Sequence, residues 1–339
     1  MTTIRGGWFR GGMGRYAGRV LGALLGTVVA CNLASAGEHE AWKPQKVVRI
    51  IVPIVGSTND VLARLLAPEL EAAFGQSFIV ENKPGAGGNI GAYEVVRAEP
   101  DGHTLLVGYN GPLAINPTLF KNIPYDPLKD LRPITLFVKA SQYLVAHPSM
   151  NVDTVEGFLK KVKDNPGKYS YGSVAMGSAS HLTMEMLKME AGLDITHVPY
   201  KGAAPAMVDL VAGNIQAGFF VPGNVQQYVQ DGRLKLIASS GKVRMKSTPD
   251  VPTLHESGFP GFEATSWIGL LAPARTPDHI VRRYNEEVVR ILKTDRMRAK
   301  LEEMEFEVVA STPEEFADWI RLETGRWGKV IQATGAKVE

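Results

Sequence analysis

The sequence predicts an α/β fold built on largely parallel sheets, and three observations carry that expectation. From Lys46 onward, short β-branched runs alternate with helix-length amphipathic stretches. Glycine, serine and asparagine gather where an apolar run gives way to a helical stripe, at 53–60, 83–91 and 171–181. The 339 residues provide for two domains of roughly 150 residues each.

The run VVRIIV at 47–52 reads as a buried strand. The next helix starts near Asn59, with Val61, Leu62, Leu65, Leu66 and Leu70 on one stripe, and Pro68 inside it predicts a kink. Residues 78–80 form a second strand, followed by a glycine-rich turn, a helix over 90–97 and a third strand over 104–107. In the middle, strands at 143–146, 169–171, 197–198, 217–221 and 235–238 alternate with helices near 155–164, 180–191, 205–212 and 225–230. Towards the end, Thr276-Pro277 and Thr312-Pro313 each set a capping residue before a proline at the first helical position. Glu315 completes a capping box with Thr312. Proline and glycine cluster over 122–133 and 249–261, marking the approaches to two crossings. One domain then takes residues 41–140 and 258–339, and the other takes 141–257.

Residues 1–36 read as an export signal. Arg5, Arg10, Arg15 and Arg19 precede a mostly apolar stretch over 20–30, too short to span a bilayer, and Ala34-Ser35-Ala36 supplies a cleavage site. The alternative is a lipid anchor at Cys31, the only cysteine. Cleavage after Ala36 leaves no cysteine, which excludes disulfides, thiol catalysis and thiolate metal sites. Without the four N-terminal arginines, 33 basic side chains face 35 acidic ones, a net charge of −2. That balance excludes the basic footprint that nucleic-acid binding requires.

The three junctions carry the chemistry. Each sets small residues and backbone N–H groups at a helix N-terminus, where the dipole favours an anion, and Ser57, Thr58, Ser173 and Ser178 add hydroxyls. Serine, threonine, asparagine and glycine are also ordinary helix caps, so one such loop alone does not make a site. Gly85-Ala86-Gly87 fails as a dinucleotide fingerprint because Ile90 stands where the third glycine belongs. No phosphate-loop motif, no G-x-S-x-G and no paired metal-ligand histidines occur, so no catalytic residue, metal site or cofactor is expected.

Many blocks occurring in order resemble the tripartite tricarboxylate transporter receptor family, the Bug proteins. They include VRIIVP, DVLARLLAPEL at 60–70, VENKPGAGGNIGA at 80–92, PDGHTLL at 100–106 and YGSVAMGSASHL at 171–182. Further blocks are ITHVPYKGAAPAMVDLVAGNIQ at 195–216 and DVPTLHESGFPGFEATSWIGLLAPARTP at 250–277. The resemblance covers about 43–336. It implies a type II periplasmic-binding-protein-like fold, two α/β domains joined by two crossovers with the ligand cleft between them. It also implies a monomeric periplasmic receptor that binds a small carboxylate and delivers it to integral-membrane permease subunits. The residues it implicates are Gly56, Ser57 and Thr58 in the first domain, and Ser173, Met176, Gly177 and Ser178 in the second, with Asn110 and Tyr200 as further candidates.

Two departures from the family pattern stand out. The stretch PIVGSTND at 53–60 is one residue shorter than the family's glycine-rich loop and lacks its double glycine. Phe220 stands where many relatives carry an Asp or Asn, which points to a ligand without an ammonium group, and to an aromatic one if the ring faces the cleft and not the core. Two other functions compete: a sensor feeding a membrane kinase, and a hydrolase using Ser178 and His181.

Overall fold

A computed structural model describes residues 42–55 and 58–337. The expected export segment lies outside these residues, as does Cys31. The described chain begins with β1 (Val48–Val52), α1 (Thr58–Phe74), β2 (Phe78–Asn82), α2 (Asn89–Val96) and β3 (Thr104–Tyr109). These strands pair in parallel with β1 between the other two, and nearly every residue of β1 is buried because helices cover both faces. The helix α1 buries Leu62, Leu66, Leu70 and Phe74 on one stripe and runs on through Pro68.

After β3 the backbone enters a π-helical turn (Gly111–Ile115), and α3 (Asn116–Leu119) and α4 (Pro127–Asp130) lead to β4 (Leu131–Ser141). Gln142 alone separates β4 from β5 (Tyr143–Ala146), which belongs to a second sheet. That sheet is completed by α5 (Val155–Lys163), β6 (Ser170–Ser173), α6 (Ala179–Ala191), β7 (Thr196–Pro199), α7 (Ala203–Ala212), β8 (Ala217–Phe220), α8 (Pro222–Gln230) and β9 (Lys235–Ser239). The chain then returns to the first sheet through β10 (Thr265–Pro273) and ends with α9 (Asp278–Leu292), α10 (Asp295–Glu303), β11 (Glu307–Val308) and α11 (Pro313–Thr334).

The strand orders are β11-β4-β10-β3-β1-β2 and β7-β6-β8-β5-β9. Both sheets are mixed, which corrects the expectation of largely parallel ones. β10 runs antiparallel to β3 and β4, and β5 runs antiparallel to β8 and β9. The reason is geometric: β4 carries the chain out of its sheet and β10 carries it back, so the two must run in opposite directions.

The two crossings are hydrogen-bonded to each other. Gln142 N donates to Ser240 Oγ (2.9 Å), Ser240 N donates to Gln142 O (2.8 Å), and Ser240 Oγ donates to Ala264 O (2.5 Å). Gln142 Nε2 reaches on to Thr183 Oγ1 in α6 (2.9 Å). One apolar cluster spans both sheets, joining Leu106, Leu113 and Leu119 to Leu182 and Phe219 through Phe316, Ile320 and Trp327 of α11. Within it, buried Glu323 accepts the indole N–H groups of Trp267 (3.0 Å) and Trp327 (2.9 Å) and pairs with Arg326 (2.7 Å).

The capping box at Thr312 and Glu315 forms as expected. The cap expected at Thr276 does not: α9 begins at Asp278 with extended Pro277 in the capping position. Thr276 is instead tied to the end of β10, its N–H on Pro273 O (3.0 Å) and its carbonyl on Arg132 (2.9 Å).

Candidate ligand-binding site

The first junction follows β1. Gly56 and Ser57 lie outside the described residues, and Thr58 opens α1 half-buried. Next to it, Asn59 is 6% exposed and its Nδ2 has no hydrogen-bond partner among the described residues. The following side chain, Asp60, accepts from Arg64 (3.1 Å) and from Asn82 Nδ2 (3.0 Å), which also donates to Ile54 O (3.3 Å). These bonds hold the outer side of the loop against β2. Asn110 follows β3, is 4% exposed, and its Nδ2 likewise has no partner among the described residues. Because β1 and β3 pair in parallel, with Ile51 opposite Leu106, both asparagines stand past the carboxyl ends of neighbouring strands. Ligands of open α/β sheets bind at such ends.

The second junction, expected to offer an anion cradle, is occupied by its own structure. Gly85, Ala86, Gly87 and Gly88 all take positive φ, a run that requires mostly glycine. Gly87 O accepts from Tyr109 Oη (2.9 Å) and Asn116 Nδ2 (3.0 Å). Asn89 Oδ1 accepts from Asn116 Nδ2 (2.7 Å) and Tyr125 Oη (2.9 Å). This loop is a packed corner of the first sheet.

The third junction follows β6 and is held in shape by internal bonds. Ser178 caps α6 by accepting from His181 N (3.3 Å), and its hydroxyl donates to Ala175 O (2.7 Å). Gly177 N donates to His181 Nδ1 (3.0 Å), Ser178 N to Ala175 O (3.2 Å), and Val174 N to Ser180 Oγ (3.0 Å). Ser173 is fully buried and bridges Ala175 O (3.0 Å) and His197 Nε2 (2.7 Å). The His181 and His197 rings stack at 3.9 Å, and Tyr171 stacks on His197 at 4.8 Å. Burial pushes His181 down to about 4 and His197 down to about 3, the latter helped by His181 itself, so both are neutral imidazoles at pH 7. The sequence showed His197 only as a scattered histidine; its signal was the strand pairing of Tyr171 with His197, which becomes visible once β6 and β7 are aligned.

The remaining candidates separate. Met176 is exposed, at the tip of the third junction. Gly177, at φ +72°, sits under Leu119 of α3, and a Cβ there would lie 1.8 Å from Leu119 Cδ2. This is a direct approach of the first sheet's connections to the second sheet's junction. Tyr200 donates its hydroxyl to Asp209 (2.6 Å), and burial followed by that bond pushes it up to about 12. Phe220, for which the sequence left cleft and core open, is 1% exposed and packs with Tyr143, Val145 and Val225 in the apolar cluster of the second sheet. Strand alternation turns its ring to the face opposite Phe219. Asn59 was legible in the sequence as a cap and not as a ligand group.

Two surface depressions, of about 510 and 380 Å³, lie elsewhere. One runs along α5 by Glu156, Lys160 and Lys163, and the other along α2 by Ile90, Tyr93 and Arg97. Charged side chains of the neighbouring helix line both, Glu156, Lys160, Lys163 and Asp164 in the first and Glu94 and Arg97 in the second. Among the described residues no cluster of His, Cys, Asp and Glu could hold a metal ion, and no helix is long and apolar enough to cross a membrane.

Two sheets joined by two adjacent crossings, with polar helix-starts at their strand ends, define a periplasmic-binding-protein fold. The profile described as "Tripartite tricarboxylate transporter family receptor" matches residues 62–336, and the chain belongs to that family. Protein BugT of Bordetella pertussis is 32% identical over 319 residues, covering 94% of this chain and 98% of BugT. R. palustris Rpa4515, solved with adipate, superposes with a TM-score of 0.79 at 33% identity, covering 86% of this chain and 98% of that one. MatC from Rhodopseudomonas palustris, solved with bound malate, gives 0.75 at 32% identity, covering 85% and 99%. The family consists of solute-binding proteins and not enzymes. In keeping with that, the Ser178 hydroxyl bonds Ala175 O while the His181 imidazole accepts from Gly177, so the two do not form a dyad.

Proposed function

We propose that this protein is a periplasmic receptor for a non-amino dicarboxylate, which it traps between the two sheets and delivers to a membrane transporter of the tripartite tricarboxylate type. The observation that supports it is the placing of helix starts at strand carboxyl ends in both sheets: α1 after β1, the π-helical turn after β3, and α6 after β6. Helix N-termini favour an anion, and one at each side suits a ligand held by two lobes. The relatives solved with adipate and malate bind acids of that class. The ligand set we propose is Gly56, Ser57, Thr58 and Asn110 from the first lobe and Ser173, Gly177 and Ser178 from the second, with Met176 at the rim. Binding stabilises the closed state, and that differential affinity is all the mechanism needs. The N-terminal segment fits export to the periplasm, with residues 41–140 and 258–339 forming one lobe and 141–257 the other.

Thermal unfolding against malate, succinate, adipate, citrate, benzoate, aspartate and glutamate tests this reading. A dicarboxylate present at a hundred times its Kd stabilises the fold by about 2.7 kcal/mol, so its melting temperature rises. Tight binding of aspartate or glutamate with none of the non-amino acids overturns the ligand class. Uptake by permease-bearing vesicles that does not depend on this protein overturns the delivery role.

A further inference from the structure

We propose that the side-chain amides of Asn59 and Asn110 form a two-donor seat for one carboxylate of the ligand. The inference rests on the carboxylate-receptor reading and names atoms within that site. Both asparagines are more than nine-tenths buried, and neither Nδ2 has a hydrogen-bond partner among the described residues. They stand past the carboxyl ends of two strands that pair side by side, each beside a helical start.

The other asparagines of these junctions set the contrast. Asn82 is bonded to Ile54 and Asp60, and Asn116 to Gly87 and Asn89. Asn89 accepts from Asn116 and Tyr125. Asparagine is therefore used at these strand ends in two ways, as bonded structural brackets and as two open donors.

A buried amide donor without an acceptor is costly, and a protein keeps one where something supplies the acceptor. A carboxylate offers about four lone-pair sites on two oxygens, enough for both NH2 groups. An ammonium group brings only donors and leaves both amides unpaired. The seat thus selects for an acceptor at this end of the ligand without using a charged side chain, and the adjacent helix starts supply the favourable field.

The test replaces each donor by an isosteric acceptor. Asn59→Asp and Asn110→Asp are measured by calorimetry with whichever of malate, succinate and adipate raises the wild-type melting temperature most. Roughly ten- to hundredfold weaker binding is expected for each, the size of a lost hydrogen bond to a charged group. Asn59→Ala and Asn110→Ala guard against a folding defect. They should also lose affinity, and should lower the unliganded melting temperature less than Asn89→Ala, whose carbonyl is bonded twice. A wild type that binds, with Asp and Ala variants that bind equally well, overturns the seat and leaves the receptor reading standing. A wild type moved by no carboxylate overturns that reading and the seat with it.

Discussion

At the carboxyl end of β6, the N–H groups of Val174, Gly177, Ser178 and His181 all end on acceptors within the same junction. At the ends of β1 and β3, by contrast, Asn59 and Asn110 keep donors that no group among the described residues meets. Two junctions of similar composition in the sequence thus differ in how complete they are before ligand arrives. A saturated loop is fixed in shape and spends little entropy on binding; an incomplete one gains hydrogen bonds when ligand arrives. In the proposed receptor, the second lobe would supply a preformed wall and the first the groups that a ligand satisfies.

The largest test of that division is at Gly177. Alanine there must take a positive φ and displace Leu119, and the two effects together predict a loss of about 2–4 kcal/mol in urea unfolding. Leu119→Ala should recover part of the loss in the double variant, because the two changes share one contact. Simple additivity would show that α3 does not press on the third junction. His181→Leu comes next. It orphans the Gly177 N–H, which predicts about 1–3 kcal/mol lost and a weaker ligand, since the loop no longer holds its shape.

The same pair of histidines gives a pH dependence of fixed sign. Both have folded values below the unfolded 6.5, near 4 for His181 and near 3 for His197, because burial disfavours the charged rings. The unfolded chain therefore binds more protons between pH 6.5 and about 3. Stability is full above 6.5 and falls as the pH drops through that window. Lys188 lies on the side that opposes protonation, while Glu185, which raises His181, accepts from both Lys188 and Tyr171. Denaturant midpoints between pH 7 and 4 check this, and His197→Gln should flatten the slope. A midpoint constant over that range would show that the stacked rings are not held neutral.

The sequence made the local alternation legible: the strand at 143–146 and the helix beginning at Val155 stand where the pattern set them. It missed β4 and β10, the two strands that flank the crossings. Pro133 and Gly269 break their periodicity, and β10 pairs with β4 through two register shifts, so neither shows a clean alternation. For the site, residue type marked the junctions but could not tell a bonded asparagine from an open one. That distinction depends on Asn116 and Tyr125 reaching Asn89 from 27 and 36 residues away.

The smallest expected effect separates core from cleft at Phe220. Its backbone stands opposite Tyr143 on β5, and its ring lies so close over Gly218 that a Cβ there would meet Phe220 Cε2 at 2.3 Å. A ring fixed in this way contributes packing to the apolar cluster of the second sheet. Phe220→Leu keeps most of the apolar volume and should cost about 1 kcal/mol, with the ranking of malate, adipate and benzoate unchanged. Were the ring a wall of the cleft, the same substitution would leave stability nearly intact and alter that ranking. Measuring both quantities on one variant therefore decides whether ligand selectivity is set by the open amides of the first lobe or by the body of the second.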